Sequence, residues 1–292
     1  MVDLNSYSNS LLKHVDKVQV VLNPFPHIII KNPLDTSFYE KLQNDFPEDH
    51  LFCNEKEMKE NSRYNISDAH LNEKITKTWG DFIEYHSSAL FFDQVVNLFS
   101  DNIATLFPDF LENYKDNLYQ HGNSKSDFLA NKINLFSQAQ IAINSPLTKR
   151  ISTVRSPHLD NPKKFYAGLF YMRNKLDESQ GGDLKIYRFK NNNKIKYYGN
   201  TVPINNVMEH ATINYEENVL ILFLNSPNSI HGVTERTPTQ YSRRFVYFST
   251  TTSDINTHNA SKNQIGKIEK FISRINRKFK SVVLGDENQK KV

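Results

Sequence analysis

The hydrophobic period of this chain changes near Ile133, and that change restricts the folds open to it. Up to about residue 130, apolar residues recur at three- and four-residue spacing, which predicts amphipathic helices. Over residues 138–144, large apolar residues alternate with polar or small ones, which predicts a half-buried strand. The chain therefore begins with a mainly helical part and continues with a β-rich part.

The helical part has recognisable boundaries. Residues 25–30 predict an extended segment, and a helix should begin near Asp35 and end before Pro47. Ser37 and Glu40 have the spacing of a capping box at its start. Residues 76–114 predict further helices that enclose the only tryptophan, Trp79, in a core. Their apolar stripe is formed by Phe82, Leu90, Val95, Leu98, Phe99, Ile103, Leu106 and Phe107.

The β-rich part contains several short strands. The candidates span residues 165–172, 184–189, 194–198, 219–224 and 243–251. Turn residues separate them, and we interpret Gly181-Gly182 as turn geometry rather than chemistry. Many short strands at this spacing predict a sandwich or a barrel. Beyond Asp254, an apolar stripe from Ile268 to Phe279 predicts a helix docked on the core, with a membrane-surface helix as the alternative.

Composition excludes several classes of protein. The 292 residues, of which 38% are hydrophobic, suffice for one large domain with a sizeable core. The net charge of +4 is spread along the chain, so no nucleic-acid partner is expected. Cys53 is the only cysteine, which excludes an internal disulfide and cysteine-based metal clusters. Without a transmembrane run or a secretory signal in residues 1–12, a soluble cytoplasmic protein is expected.

Two histidines and one aspartate are the candidate chemical residues. In an extended chain, His158 and Asp160 project to the same side because they are two positions apart. His231 follows the apolar strand candidate at 219–224, across a strand-rich segment. Two imidazoles and one carboxylate on one face suit non-haem Fe(II) chemistry. The similar pair His14 and Asp16 lies in a polar stretch without a strand pattern, so we interpret it as surface sequence.

The order of these motifs resembles the 2-oxoglutarate- and Fe(II)-dependent dioxygenases, and in particular their prolyl 4-hydroxylase-like branch. The residues that carry the resemblance are His158-x-Asp160, Tyr171, Gly181-Gly182-Asp183-Leu184, Leu222-Phe223, His231-Gly232-Val233 and Arg243/Arg244. The resemblance implies a mainly β fold with α additions: a distorted double-stranded β-helix, or jelly roll, buttressed by N-terminal and C-terminal helices. The expected parts are a support region at 1–130, the catalytic core at 131–253, and a C-terminal helix and tail at 254–292, in one compact domain.

The resemblance also implies the roles of individual residues. His158, Asp160 and His231 would be the catalytic iron ligands. 2-Oxoglutarate and O2 would be cosubstrates, with ascorbate allowed as a further cofactor. Tyr171 and one of Arg243 and Arg244 would hold the far carboxylate of 2-oxoglutarate. The implied reaction hydroxylates a small molecule or a protein side chain and releases succinate and CO2.

The strand register decides between the two arginines, because neighbouring strand residues face opposite ways. With Arg243 inward, Phe245 and Tyr247 would line the pocket, while Val246 and Phe248 would pack under helices. With Arg244 inward, the two sets exchange. We favour Arg243, although both arginines follow His231 at a longer interval than is usual in the family.

Three further residues are substrate candidates. Gln140 and Asn144 share one strand face and could reach the substrate or could satisfy buried backbone groups. Arg155 could bind an acidic substrate or form a surface salt bridge. Two other functions are compatible with the same pattern: a non-catalytic jelly-roll ligand-binding module, and a cupin-like metal-dependent isomerase or zinc enzyme.

Overall fold

A computed structural model describes residues 9–67, 72–190 and 200–259 of the chain. Its architecture is mainly β with helical additions, as the sequence predicts. The described strands are β1 (His27–Lys31), β2 (Arg63–Ile66), β3 (His121–Gly122), β4 (Leu135–Asn144), β5 (Lys164–Met172), β6 (Leu184–Phe189), β7 (Val207–Ile213), β8 (Glu217–Leu224), β9 (His231–Val233) and β10 (Arg243–Thr252).

The strands form two facing sheets. The major sheet has the order β1-β8-β5-β10-β4-β2, with β3 beside β4, and the minor sheet has the order β7-β6-β9. From β4 onward, the chain passes repeatedly between the sheets: β5 is in the major sheet, β6 and β7 in the minor, β8 in the major, β9 in the minor and β10 in the major. This alternation produces the jelly roll that the motifs imply.

Four of the strand predictions after residue 160 correspond to β5, β6, β8 and β10. The fifth, at 194–198, lies outside the described residues. The sequence did not predict β2 or β7. Four of the seven residues of β7 are exposed, so this strand lacks the apolar alternation by which a buried strand is recognised.

Six helices are described. They are α1 (Thr36–Asn44), α2 (Lys77–His86), α3 (Ala89–Leu98), α4 (Ser100–Leu106), α5 (Pro108–Lys115) and α6 (Lys125–Leu129). The predicted capping box of α1 is wrong, because Asp35 occupies the N-cap position and Ser37 is already inside the helix. Leu90 was also wrongly placed in the apolar stripe: it is 50% exposed, since it shares a helix face with Gln94 and Asn97.

The helices cover the outer face of the major sheet. Trp79 is fully buried there, as predicted, and its indole Nε1 donates to the Leu42 carbonyl at 3.0 Å. The ring of Phe82 lies 6.2 Å from that of Phe170 on β5. A second apolar cluster fills the space between the two sheets. The candidate site borders this cluster, because Phe223 of the cluster contacts the ring of His231. The predicted C-terminal helix from Ile268 lies outside the described residues.

Within the described ranges, the helices are too short and too polar for any of them to cross a bilayer.

Candidate metal centre

The backbone places His158 directly opposite His231. The His158 amide donates to the His231 carbonyl at 2.9 Å, and the His231 amide donates to the His158 carbonyl at 3.0 Å. Residues that exchange both hydrogen bonds in an antiparallel pair carry their side chains on the same side. The two imidazole rings are therefore neighbours, with centroids 4.3 Å apart.

Asp160 completes a three-residue cluster. One donor atom from each of His158, Asp160 and His231 lies within 4.8 Å of the other two. Both histidines are 7% exposed, whereas His14 and Asp16 are exposed. The structure thus brings together the three residues expected to converge, and their atoms have the spacing and chemistry of a metal site.

Hydrogen bonds set the orientation of both imidazoles. His158 Nδ1 lies 2.9 Å from the Ser156 carbonyl oxygen, and His231 Nδ1 lies 2.9 Å from the Ser229 carbonyl oxygen. A carbonyl oxygen only accepts, so each Nδ1 carries the proton. Each Nε2 therefore keeps its lone pair, which is the arrangement that a metal-binding histidine requires.

Electrostatics favour the protonation states of metal ligands. Burial, and next the neighbouring His231, lower the pKa of His158 to about 3. Burial also lowers the pKa of His231. Burial opposes ionisation of Asp160, but Lys164 and the two imidazoles outweigh it and lower the pKa of this carboxyl. At neutral pH the cluster therefore consists of two neutral imidazoles and a carboxylate.

Lys164 lies next to the Asp160 carboxylate and binds Tyr247; the sequence predicts Tyr247 as a pocket residue when Arg243 points inward, but it does not identify Lys164. Lys164 Nζ lies 3.5 Å from Asp160 Oδ1 and donates to the Tyr247 hydroxyl at 2.5 Å. The Lys164 side chain is only 22% exposed. The one local signal was that Lys164 follows Asp160 by four positions at the start of a predicted strand. Lys164, which is itself bound to the Tyr247 hydroxyl, thereby fixes Asp160 Oδ1.

Arg243 lies on the inner face of β10. It pairs with Asn144 across the β4 ladder, and the inner cluster contains Phe245 and Tyr247. Arg243 Nε donates to the Gly182 carbonyl at 2.7 Å, and Nη1 donates to Asn144 Oδ1 at 3.3 Å. Gly182, with φ of 76°, thus holds the arginine as well as forming the turn.

Two buried polar atoms, Arg243 Nη2 and the Tyr171 hydroxyl, retain hydrogen-bonding capacity. They act on each other, but neither has a hydrogen-bond partner of good geometry among the residues that the structure describes. The guanidinium carbon of Arg243 lies 4.8 Å from the centroid of the Tyr171 ring and 4.9 Å from that of Tyr215. Buried polar atoms are normally paired. A buried cation beside an unpaired hydroxyl is therefore suited to an anionic ligand.

Arg244 faces the opposite way. Its guanidinium carbon lies 4.6 Å above the ring of Phe46, in the layer of helices outside the major sheet. Val246 and Phe248 belong to the same outer core. Of the two arginine candidates, only Arg243 lies on the face shared with the three-residue cluster.

The three substrate candidates occupy different positions. Gln140 is half-buried on the inner face of β4 and donates to Ser67 Oγ at 2.9 Å. Asn144 is buried and contacts Arg243, so its structural role is to hold that arginine. Arg155 is exposed, and its carbonyl accepts from the Val233 amide next to β9. Arg155 has no ion-pair partner within the described ranges.

One further cation was missed by the sequence analysis. Arg63, on β2, pairs with Asn144 across the sheet on the inner face. Its guanidinium carbon lies 4.6 Å from the ring centroid of Tyr247 and 5.4 Å from that of Phe245. Weak alternation in residues 63–66 was the only local signal. β2 is short and half exposed, so its strand character depends on pairing with β4.

Comparisons with known proteins give structural neighbours only. No protein-family model and no curated protein matches this sequence. A prolyl 4-hydroxylase from Phytophthora capsici is 15% identical with a TM-score of 0.47, over 95% of this chain and 76% of that one. A Trichoplax adhaerens prolyl hydroxylase, solved with a peptide fragment of hypoxia inducible factor, is 14% identical with a TM-score of 0.43, over 81% and 89%. A Pseudomonas putida prolyl 4-hydroxylase is 9% identical with a TM-score of 0.42, over 77% and 92%.

Proposed function

We propose that this protein is an Fe(II)- and 2-oxoglutarate-dependent oxygenase that hydroxylates its substrate and releases succinate and CO2. The observation that carries the proposal is the convergence of His158, Asp160 and His231 on the inner side of the sheets, the side on which the buried guanidinium of Arg243 also lies. Neither feature alone indicates this chemistry. Together they provide the ligands for a metal ion and a cation for a carboxylate on the same side of the major sheet.

Each residue of the cluster has a defined role in the proposal. His158 Nε2, His231 Nε2 and a carboxylate oxygen of Asp160 would hold the ferrous ion. Lys164 donates to Asp160 Oδ1 and keeps the carboxylate oriented. When bound, the ion and 2-oxoglutarate supply the oxidising chemistry that no protein side chain can provide.

Arg243 and Tyr171 hold the far carboxylate of 2-oxoglutarate in the proposal. Arg243 Nη2 and the Tyr171 hydroxyl are the unpaired buried donors, and a carboxylate would satisfy both. The rings of Tyr171, Tyr215 and Phe245 surround the guanidinium and exclude water from it. In an environment of low dielectric, this charge pairing is strong and specific.

The observation about Arg243 also favours this function over the two alternatives. A ligand-binding module without chemistry needs no metal cluster next to the clamp. A cupin-like isomerase or zinc enzyme needs no buried arginine with an unpaired donor. The geometry therefore supports the oxygenase best.

The direct test combines metal binding with turnover. Purified protein supplied with ferrous iron, 2-oxoglutarate and O2 should form succinate, and Mn²⁺ should bind with one ion per chain by calorimetry. His158→Ala and Asp160→Ala should lose both properties, because two remaining ligands hold a divalent ion poorly.

The matched control is the exposed pair with the same spacing. His14→Ala and Asp16→Ala should bind Mn²⁺ and form succinate as the unmodified protein does. The proposal is wrong if the unmodified protein binds no metal, or if the His14 pair proves necessary and the His158 pair does not.

A further inference from the structure

The inner face of the major sheet is covered unevenly. On β10, Phe245 and Tyr247 are buried, whereas on β4 Gln140 is only half-buried. At the edge strand β2, Arg63 and Asn65 are exposed. The inner face of the sheet is therefore most exposed toward β2, where Arg63 lies.

Arg63 stands at the rim of the cavity. Phe245 lies between two guanidinium groups, with the carbon of Arg243 at 5.1 Å on the inner side and that of Arg63 at 5.4 Å toward the rim. Tyr247, which lies beneath Arg63, accepts a hydrogen bond from Lys164, and Lys164 also donates to Asp160. Two side chains, Tyr247 and Lys164, thus connect Arg63 to the metal cluster.

Arg155 borders the cluster from the minor sheet. Its carbonyl accepts from Val233, two positions after His231, and it lies three positions before His158. Its charge acts on both His158 and His231 and also on Arg63. Both arginines are therefore close enough to the cluster region for their charges to act on each other.

Neither arginine has a counter-charge of its own. No carboxylate lies within ion-pair distance of Arg63 or Arg155 in residues 9–67, 72–190 and 200–259. Asp160 is the acidic group that acts on Arg63, but it is paired with Lys164 and, in the proposed function, binds the metal. 2-Oxoglutarate would occupy Arg243. Arg63 and Arg155 thus keep unpaired positive charges when the metal ion and 2-oxoglutarate are bound.

We propose that the substrate of this site carries an anionic group, a carboxylate or a phosphate, that binds between Arg63 and Arg155. This rests on the proposed function, since it concerns the substrate of the same site. Arg63 is held in place by the two aromatic faces beneath it, so its donors are preorganised for an anion. The half-buried Gln140 lies on the same face, but its amide already donates to Ser67 and Gln138, so the two arginines supply the contacts to the anion.

The test measures affinity rather than turnover. Protein saturated with Mn²⁺ and 2-oxoglutarate, so that Arg243 is occupied, is titrated by calorimetry with matched probes. The pairs are L-glutamate with L-glutamine and O-phosphoserine with serine, first as free amino acids and then within blocked tripeptides. At least one anionic probe should bind about tenfold or more tightly than its neutral partner, because hydrogen bonds to charged groups are the stronger ones. The free and the peptide forms distinguish a small-molecule substrate from a protein side chain.

Substitutions assign the preference to the two arginines. Arg63→Gln and Arg155→Gln should each reduce the anionic preference several-fold, and the double variant should abolish it. Arg188→Gln, on an exposed arginine of the minor sheet, should keep the preference of the unmodified protein. Equal binding of anionic and neutral probes, or a preference that survives in the double variant, would overturn the inference.

The two proposals fail in different ways. If the protein binds Mn²⁺ and 2-oxoglutarate saturably but shows no preference for anionic probes, the proposed function stands. Only the inference about an anionic substrate is then wrong. If the protein binds no Mn²⁺, the proposed function fails. The same titration on the Arg243→Met variant without metal then still shows whether Arg63 and Arg155 select anions.

Discussion

Arg243 is held on several sides and open on one. The Gly182 carbonyl and the Asn144 side chain each accept one of its hydrogen bonds, and aromatic rings enclose the guanidinium. Its Nη2 is left for a ligand. A charged side chain fixed in this way loses little entropy when a carboxylate binds, so it can contribute strongly to affinity.

Replacing Arg243 should therefore weaken 2-oxoglutarate binding. Arg243→Met should raise the dissociation constant of 2-oxoglutarate about 10- to 100-fold, since a hydrogen bond to a charged group is worth about 1.5–3 kcal/mol. The measurement is a calorimetric titration of Mn²⁺-loaded protein.

The neighbouring arginine is the control for this prediction. Arg244→Met should leave the dissociation constant unchanged, because Arg244 lies over Phe46 on the other face of the strand. Equal losses in the two variants would show that the clamp lies elsewhere.

His86 is a buried residue whose protonation state depends on its surroundings. Its ring is buried between aromatic rings in α2, with Nδ1 donating to the Phe82 carbonyl and Nε2 accepting from the Leu11 amide. Burial lowers the pKa of His86 to about 3. The folded protein therefore keeps this imidazole neutral under conditions in which an unfolded chain would protonate it.

This predicts a loss of stability in mild acid. Between pH 6.5 and about 3, only the unfolded state binds the proton at His86, so the free energy of unfolding falls as pH falls. The contribution is about 1.4 kcal/mol per pH unit below the unfolded pKa of about 6.5. In urea titrations from pH 7 to pH 5, His86→Gln should show a shallower fall than the unmodified protein, whereas the exposed His14→Gln should not. Identical slopes in all three proteins would contradict this assignment.

At the scale of elements, two glycines are constrained by different neighbours. Gly168 on β5 faces the outer core, where an added Cβ would lie 2.5 Å from Phe248 Cδ2 and 2.7 Å from Leu222 Cδ1. Gly181, with φ of 79°, lies in the turn before β6, and an added Cβ would lie 1.8 Å from the Glu235 carbonyl oxygen. A Cβ at Gly168 would therefore meet side chains. A Cβ at Gly181, the residue before Gly182, would meet the backbone of Glu235.

The two substitutions should therefore separate stability from site geometry. Gly168→Ala should cost about 1–3 kcal/mol through overpacking of the outer core. Gly181→Ala should cost about as much through backbone strain. It should also displace the carbonyl that holds Arg243, so its affinity for 2-oxoglutarate should fall as well. Thermal unfolding measures the loss of stability, and a 2-oxoglutarate titration below the melting temperature measures the loss of affinity. Weaker 2-oxoglutarate binding in Gly168→Ala would contradict the distinction.

At the scale of the whole molecule, the candidate metal site joins two distant parts of the chain. His158 and Asp160 precede β5, and His231 lies on β9 in the minor sheet. The folded protein can offer all three ligands to one ion, whereas the unfolded chain has no assembled site. Binding must then stabilise the fold as a whole.

Metal and cosubstrate should consequently raise the melting temperature. With Mn²⁺ and 2-oxoglutarate at about 100 times their dissociation constants, each ligand should add about 2.7 kcal/mol, which amounts to several degrees. A chelator should reverse the shift. The His158→Ala variant should show no shift at the same concentrations, and a shift of the same size in that variant would place the metal elsewhere.

The sequence alone was sufficient for features that depend on near neighbours in the chain. Apolar alternation located β4, short apolar runs between turn residues located β5, β6, β8 and β10, and helical spacing located the layer that contains Trp79. The cluster of His158, Asp160 and His231 was also predictable. The spacing of the first two gives both side chains one direction in an extended segment, and the motif order supplied the third.

Tertiary structure decided what depends on pairing between distant segments. The inward orientation of Arg243 follows from its register with Asn144, which no local pattern in β10 could determine. Lys164, Tyr247 and Arg63 became neighbours of the site only because the sheets closed around it. Side-chain period is a local property of the chain, whereas register and sheet closure are fixed by burial and hydrogen bonding across long sequence separations.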